Sequence, residues 1–103
     1  MVTKQIAIET ARAFVQECKA QGLPIDRAFL FGSYVNGIPH EGSDIDLLLV
    51  SKIFTDNIFT NLKTYAKINI RYPIIETHPV SLDSLTNGNE FIEQITREGV
   101  MIE

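Results

Sequence analysis

Residues 28–50 read AFLFGSYVNGIPHEGSDIDLLLV, and this stretch decides the fold. Two short apolar runs, 28–31 and 44–50, enclose a segment that is rich in glycine and contains a proline. Runs of this length are too short for buried helices and are typical of buried strands. The enclosed segment, 33–42, is predicted to be a loop with one helical turn, because glycine and proline interrupt regular structure.

Two aspartates, Asp44 and Asp46, stand at the start of the second predicted strand. Side chains two residues apart on a strand point to the same face, so both carboxylates are expected to project together. Like charges on one face repel each other unless a cation lies between them. Because the ligands are hard oxygens with no Cys or His expected nearby, Mg²⁺ is predicted over zinc, with Mn²⁺ as an alternative.

A pair of such ions would lie about 3.5–4 Å apart and would need a third carboxylate as a bridge. Glu76 is the candidate, since it interrupts the apolar strand predicted over residues 74–80. It would act as a metal ligand or as the general base for an acceptor hydroxyl. Asp83 and Asp56 are alternatives, although both lie in polar stretches where a loop or helix-capping role is simpler.

A phosphate site is predicted beside these carboxylates. Gly32 lets the backbone approach a ligand closely, and Ser33 can begin a helical turn whose N–H groups face a phosphate. Metal ligands beside a phosphate cradle favour phosphoryl or nucleotidyl transfer. Read alone, Gly32 and Ser33 would be ordinary turn residues. His78 shares a strand face with Glu76, yet a histidine at a strand end is more often a surface residue.

The rest of the chain carries amphipathic helices and short strands. Apolar spacing predicts helices over residues 3–21, about 55–67, and around 91–95. Further strands are predicted over residues 74–80 and 100–102. No linker or internal repeat is visible, so residues 1–103 are expected to form a single α+β domain.

Composition limits the classes of function. The 103 residues are 45% hydrophobic, which is enough for one core, and the net charge of −4 disfavours unaided binding of nucleic acid. The single Cys18 cannot form an internal disulfide, and no leader-like segment opens the chain. No apolar stretch approaches the roughly 20 residues that span a bilayer. A soluble cytoplasmic protein is expected, with a partner chain or self-association left open.

The most informative motif is Gly32-Ser33 with Gly37, followed by Ser43-Asp44-Ile45-Asp46-Leu47. It resembles the signature of the polymerase-β-like nucleotidyltransferase superfamily, and the short length together with residues 75–79 resembles its minimal branch, the MNT domains. The resemblance implies a mixed β-sheet with helices packed on one face. It also implies metal ligands at Asp44 and Asp46 and a nucleotide site at Gly32, Ser33, Gly37 and Ser43.

Many members of this branch are encoded beside a helical HEPN-type ribonuclease toxin and act as its antitoxin, some by adenylylating a tyrosine of the toxin. The resemblance therefore implies transfer of AMP from ATP to a hydroxyl of a protein partner. This sequence departs from the pattern in two ways. Val35 and Asn36 stand where an Arg or Lys is frequent, and the third acid would be Glu76 instead of the more usual Asp.

Three functions are compatible with these residues. The first is an active nucleotidyltransferase with a protein acceptor. The second is a binding module of the antitoxin or regulator kind, which neutralises its partner by occlusion with little or no catalysis. The third, transfer to a small molecule, is less favoured because such enzymes usually carry an additional domain.

Overall fold

The computed structural model describes residues 2–39 and 42–103. Met1, His40 and Glu41 lie outside the described residues, so the predicted loop 33–42 is described only in part. The elements, in chain order, are α1 (Lys4–Ala20), β1 (Arg27–Phe31), α2 (Ser33–Asn36), β2 (Ile45–Ser51), α3 (Ile58–Lys63), α4 (Ala66–Asn69), β3 (Ile75–Ser81), α5 (Leu82–Thr86), α6 (Glu90–Glu98) and β4 (Val100–Met101). Within the described ranges, no helix has the length and apolarity required to cross a membrane.

The strands form a mixed sheet in the order β3-β2-β1-β4. β1 pairs antiparallel with β2 and with β4, whereas β2 pairs parallel with β3. A parallel pair needs a long crossover connection, and here that connection contains α3 and α4. The register places Asp46 opposite Phe31 on one side and Glu76 on the other. The beginning of β2 therefore lies between β1 and β3.

Two apolar clusters cover the two faces of the sheet. The larger one packs α1 and the region of α3 and α4 against alternate strand residues, among them Leu30, Ile45 and Leu47. The smaller one joins Phe29, Leu48, Val50 and Ile95, with Leu85 packed against it. The predicted α+β class with a mixed sheet is confirmed. The main helical layer lies on one face, as expected, and α5 and α6 add a smaller layer on the other.

Helix α1 forms where its apolar spacing predicts. The Thr3 hydroxyl accepts a hydrogen bond from the Ile6 amide at 3.1 Å, which caps the first turn. Its buried stripe consists of Ala7, Ala11, Phe14, Val15 and Cys18. Burial raises the pKa of the Cys18 thiol to about 12, so this cysteine is a core residue and not a nucleophile.

The segment 55–67 differs from the single helix that its sequence predicts. Asn57 accepts a hydrogen bond from the Thr60 amide at 3.1 Å, so α3 begins later than expected. Tyr65 then separates α3 from α4 with a φ of −133°, outside the helical range. Its buried hydroxyl donates to the Thr77 hydroxyl at 2.9 Å. Packing of this ring beneath β3 therefore outweighs the local preference for a continuous helix.

Asn61 holds the start of this crossover in place. Its side chain is 2% exposed; it accepts from the Thr55 amide at 2.8 Å and donates to the Thr55 carbonyl at 2.7 Å. We expect Asn61→Ala to lower the free energy of unfolding by about 1–3 kcal/mol, because two buried bonds are lost. Urea titration followed by circular dichroism would measure the change. The exposed Lys63→Ala variant should differ from wild type by less than about 0.5 kcal/mol, and equal losses for the two variants would contradict this role.

Candidate active site

The predicted chemistry lies at one end of the sheet, on the face opposite α1. Ile45 and Leu47 are fully buried in the cluster that contains α1. Alternation along the strand therefore turns Asp46 to the other face. Glu76 is the residue opposite Asp46 on β3, and His78 lies two residues further along the same strand, opposite Leu48. Three potential ligands on neighbouring strands thus share one face.

Asp46, Glu76 and His78 converge in this region. Each offers one ligand atom, and these atoms all lie within 4.8 Å of one another. Asp46 Oδ1 is 3.5 Å from His78 Nε2, which is too long for a strong hydrogen bond. Within the described part of the chain, Nε2 is buried and has no hydrogen-bond partner. Two carboxylates beside an unsatisfied ring nitrogen form a ligand set suited to a cation.

Gly32 brings the turn after β1 against Asp46. Its backbone angles, φ 83° and ψ −151°, belong to a region that is almost restricted to glycine. A Cβ atom at this position would lie 2.2 Å from Asp46 Oδ2, closer than side-chain contacts allow. The Gly32 carbonyl also accepts hydrogen bonds from the amides of Val35 and Asn36, at 3.0 and 2.9 Å. The site therefore requires glycine here for its backbone conformation and for space.

The other residues of the predicted nucleotide site surround this turn. Ser33 begins α2, the single helical turn that the sequence predicts. Gly37 closes the turn, and a Cβ there would lie 3.2 Å from the Ser33 Cα. Ser43 is buried, and its carbonyl accepts a hydrogen bond of 3.4 Å from the Tyr34 hydroxyl. The structure brings these residues to one end of β1 and β2, and their role in nucleotide binding stays a prediction.

Asp44 differs from Asp46 in its position and in its exposure to solvent. It lies one residue before β2, it is exposed, and it is not part of the cluster with Glu76 and His78. The two alternative acids are also outside that cluster: Asp56 is exposed in the loop before α3, and Asp83 is exposed in the first turn of α5. Of the carboxylates considered from sequence, the structure gathers Asp46 and Glu76.

His78 is the residue that sequence reasoning placed on the surface. In the structure it is half-buried, and its ring packs edge-on against Phe31, with centroids 5.1 Å apart. Phe31 in turn contacts the ring of Phe91 on α6 at 5.8 Å. The signal was present in the alternation of Glu76 and His78 along β3. The strand pattern does not reveal the packing of Phe31 against the imidazole, which accompanies the partial burial of this histidine.

A cavity of about 200 Å³ opens beside the cluster. It lies between the glycine turn and α6, and its lining includes Phe31, Gly32, Asn36 and Phe91. Aromatic faces beside an amide side chain suit a flat, polar-edged group. The cavity shares Gly32 with the glycine turn, whereas Asp46, Glu76 and His78 are not among its lining residues.

The geometry of the cluster fits a six-coordinate divalent ion. With bonds of about 2.1 Å, neighbouring ligand atoms lie about 3.0 Å apart and opposite ones about 4.2 Å apart. The 3.5 Å between Asp46 and His78 falls inside this range, and the 4.8 Å limit for the whole set exceeds it only slightly. Small side-chain rotations would therefore suffice to hold an ion. Three protein ligands would leave positions open for phosphate oxygens or water.

Fold and site together define a small α+β transferase domain. The chain belongs to the polymerase beta nucleotidyltransferase family, whose model matches residues 15–103. The resemblance predicted from the Gly-Ser and paired-Asp motif is thereby confirmed, and the chain is a nucleotidyltransferase. Among curated proteins, no significant match to the sequence was found.

Solved structures share this fold at low sequence identity. A Sulfolobus solfataricus protein described as a candidate nucleotidyltransferase is 19% identical, with a TM-score of 0.71 over 95% of this chain and 80% of that one. A mutant of the MntA–HpeT toxin–antitoxin complex gives 20% identity and a TM-score of 0.59. A toxin–antitoxin structure with AMP-PNP gives 21% and 0.61. Both toxin–antitoxin matches cover 89% of this chain and 72% of the other.

Proposed function

We propose that this chain, acting as a single domain over residues 1–103, transfers AMP from ATP to a hydroxyl of a protein acceptor. The observation that carries the proposal is the cluster of Asp46, Glu76 and His78 set against the Gly32 turn. The proposed cofactor is a divalent cation, Mg²⁺ or Mn²⁺, bound as one ion or two. A cytoplasmic location, where ATP is available, is part of the same proposal.

Asp46 and Glu76 would hold the cation, and Asp44, exposed beside them in sequence, would serve a second ion. When bound, such ions neutralise charge on the attacked phosphorus and lower the pKa of the attacking hydroxyl. Gly32 lets the Asp46 carboxylate lie against the backbone of the turn, and the triphosphate would approach the exposed side of this turn. Ser33, with Gly37 and Ser43 around the same turn, would fix the phosphates in place.

The proposed reaction forms one bond and breaks one. The acceptor oxygen attacks the α-phosphorus, the bond from that phosphorus to the bridging oxygen breaks, and pyrophosphate leaves. Glu76 is exposed at the cluster, so one of its carboxylate oxygens would accept the proton of the acceptor hydroxyl while the other faces the cation. The cavity lined by Phe31 and Phe91 is the candidate subsite for the adenine ring.

The proposed acceptor is the toxin of a two-gene pair, a helical HEPN-type protein. Two of the structures with this fold are toxin–antitoxin complexes, and one of them contains AMP-PNP. The net charge of −4 disfavours a nucleic-acid acceptor bound by this chain alone.

The test is incubation of the purified chain with labelled ATP, a divalent cation and the product of the neighbouring gene. We expect label on the partner with wild type and none with the Asp44→Asn, Asp46→Asn double variant. The matched control is Asp56→Asn, Asp83→Asn, which removes the same charge from exposed positions outside the cluster. Label that persists in the first variant, or disappears equally in the control, would refute the proposal.

A second candidate function is neutralisation of the partner by binding alone. The observation that favours it is that Asp44 is exposed and is not among the three residues that form the cluster. In that case the Asp44→Asn, Asp46→Asn variant would still bind and neutralise the partner. Growth rescue of cells that express the partner, compared between wild type and this variant, separates the two functions.

A further inference from the structure

The ring nitrogen Nε2 of His78 has an environment that a surface histidine does not have. Within the described residues it is buried without a hydrogen-bond partner, and the nearest charged atom is Asp46 Oδ1 at 3.5 Å. A buried polar atom without a partner has lost its hydrogen bonds to water and has gained none in exchange. The Phe31 ring packs edge-on against the imidazole, with centroids 5.1 Å apart. The nitrogen therefore lies beside the Asp46 carboxylate, within the group of three potential ligands that includes Glu76.

The chemistry of the ligand atoms decides which ion a group of metal ligands binds most tightly. Mg²⁺ binds oxygen ligands, demands regular octahedral geometry and keeps several waters. Imidazole nitrogen is instead a ligand for first-row transition-metal ions, and among these Mn²⁺ is the one that also suits carboxylate and water ligands. A site made of Asp46, Glu76 and His78 is of this mixed type.

We propose that His78 Nε2 is a direct metal ligand beside Asp46 and Glu76, and that the site consequently binds Mn²⁺ more tightly than Mg²⁺. The inference rests on the proposed function in one respect, namely that Asp46 and Glu76 bind the catalytic cation. It adds the third ligand and the class of ion. The competing explanation is that His78 forms only an ion pair with Asp46, in which case removal of His78 would affect both metals alike.

The experiment compares MnCl₂ and MgCl₂ binding by isothermal titration calorimetry in wild type and in His78→Gln. We expect wild type to prefer Mn²⁺, and the variant to lose about tenfold or more in Mn²⁺ affinity with a smaller change for Mg²⁺. Even residues that only orient a ligand cost about 10–100-fold when replaced, so a ligand should cost at least as much. Equal changes for the two metals would overturn the proposal.

A spectroscopic readout identifies the ligand directly. Pulsed electron paramagnetic resonance of Mn²⁺ bound to wild type should show a nitrogen coupling that shifts when histidine is labelled with ¹⁵N. It should be absent from His78→Gln and present in His40→Gln, the control that removes the other of the two histidines. A coupling that is missing from wild type, or that disappears only with His40→Gln, would refute ligation by His78.

The Asp46→Asn variant distinguishes a failure of ligation by His78 from a failure of the proposed metal-dependent function. If it abolishes binding of both metals while His78→Gln leaves the preference for Mn²⁺ intact, ligation by His78 is wrong and the metal site stands. If Asp46→Asn leaves metal binding unchanged, the metal-dependent function itself fails, and with it the role of His78. Circular dichroism of each variant confirms that the compared chains are folded.

Discussion

Replacing Gly32 with alanine is expected to lower nucleotide transfer by roughly 100-fold or more, because the new Cβ would displace the Asp46 carboxylate. The Cβ would lie 2.2 Å from Asp46 Oδ2, whereas ordinary contacts begin at 3.4 Å. The oxygen must therefore move by more than about 1 Å, a displacement that can cost about 100-fold in rate. Kinetics of transfer at saturating ATP would measure this loss.

Gly22→Ala is a matched control for the effect of backbone strain on stability. Gly22 also has a positive φ, 95°, but a Cβ there would meet no atom within 4 Å. Alanine at either position should cost about 1–3 kcal/mol of stability through backbone strain. Both variants should therefore unfold earlier in urea, while only Gly32→Ala should lose metal affinity and activity. Equal activity in the two variants would show that the approach to Asp46 has no functional role.

Asp46→Asn is expected to lower transfer by roughly 1,000-fold, the scale found when a group that stabilises the transition state is removed. The same variant should lose the stabilisation that a cation gives to the folded state. For wild type at a metal concentration 100 times the Kd, that stabilisation is about 2.7 kcal/mol. Thermal unfolding with and without MnCl₂ would measure it, since wild type should show a shift in Tm that the variant lacks.

The single variant Asp56→Asn is the control for this prediction. It removes one carboxylate from the exposed loop before α3, away from the cluster. It should keep both the metal-dependent shift in Tm and the transfer rate. If Asp46→Asn kept the shift, the cation would have to bind elsewhere, and the geometry of Asp46 with Glu76 would have no bearing on metal affinity.

The sequence predicts β1, β2 and the turn between them well, because short apolar runs bounded by glycine admit few other structures. The motif in 32–46 was specific enough to predict the family. The close approach of Gly32 to Asp46 was beyond sequence reasoning, since it depends on the antiparallel register that sets Phe31 opposite Asp46. A sequence motif gives the spacing of two residues along the chain, but it does not give the distance between their atoms.

The composition of the cluster was predicted only in part. The convergence of Asp46 with Glu76 follows the expected pairing of their strands, whereas the roles of both residues stay predictions. Strand alternation predicts that Asp44 shares a face with Asp46, and because β2 begins at Ile45, one residue after Asp44, this stays a prediction. His78 was underestimated because its burial comes from Phe31, on a strand that does not neighbour β3.

The helical regions show where local signals are insufficient. The break at Tyr65 follows from a contact with Thr77 on β3, and such tertiary contacts override helix propensity. Helix α5 has only five residues, too few for a periodic pattern. Its start is marked by Ser81, whose hydroxyl accepts from the Ser84 amide at 3.1 Å. A serine followed by an acidic first turn is common at helix starts but equally common in loops.

The parallel pairing of β2 with β3 also affects how fast the site forms during folding. Asp46 and Glu76 become neighbours only after the crossover of α3 and α4 has closed, and contacts that span such a connection form slowly during folding. A partly folded chain with β1 and β2 paired but β3 detached would contain the glycine turn and no complete cation site. Ion binding therefore stabilises only the completely folded chain. An occupied site consequently makes opening of the crossover rarer.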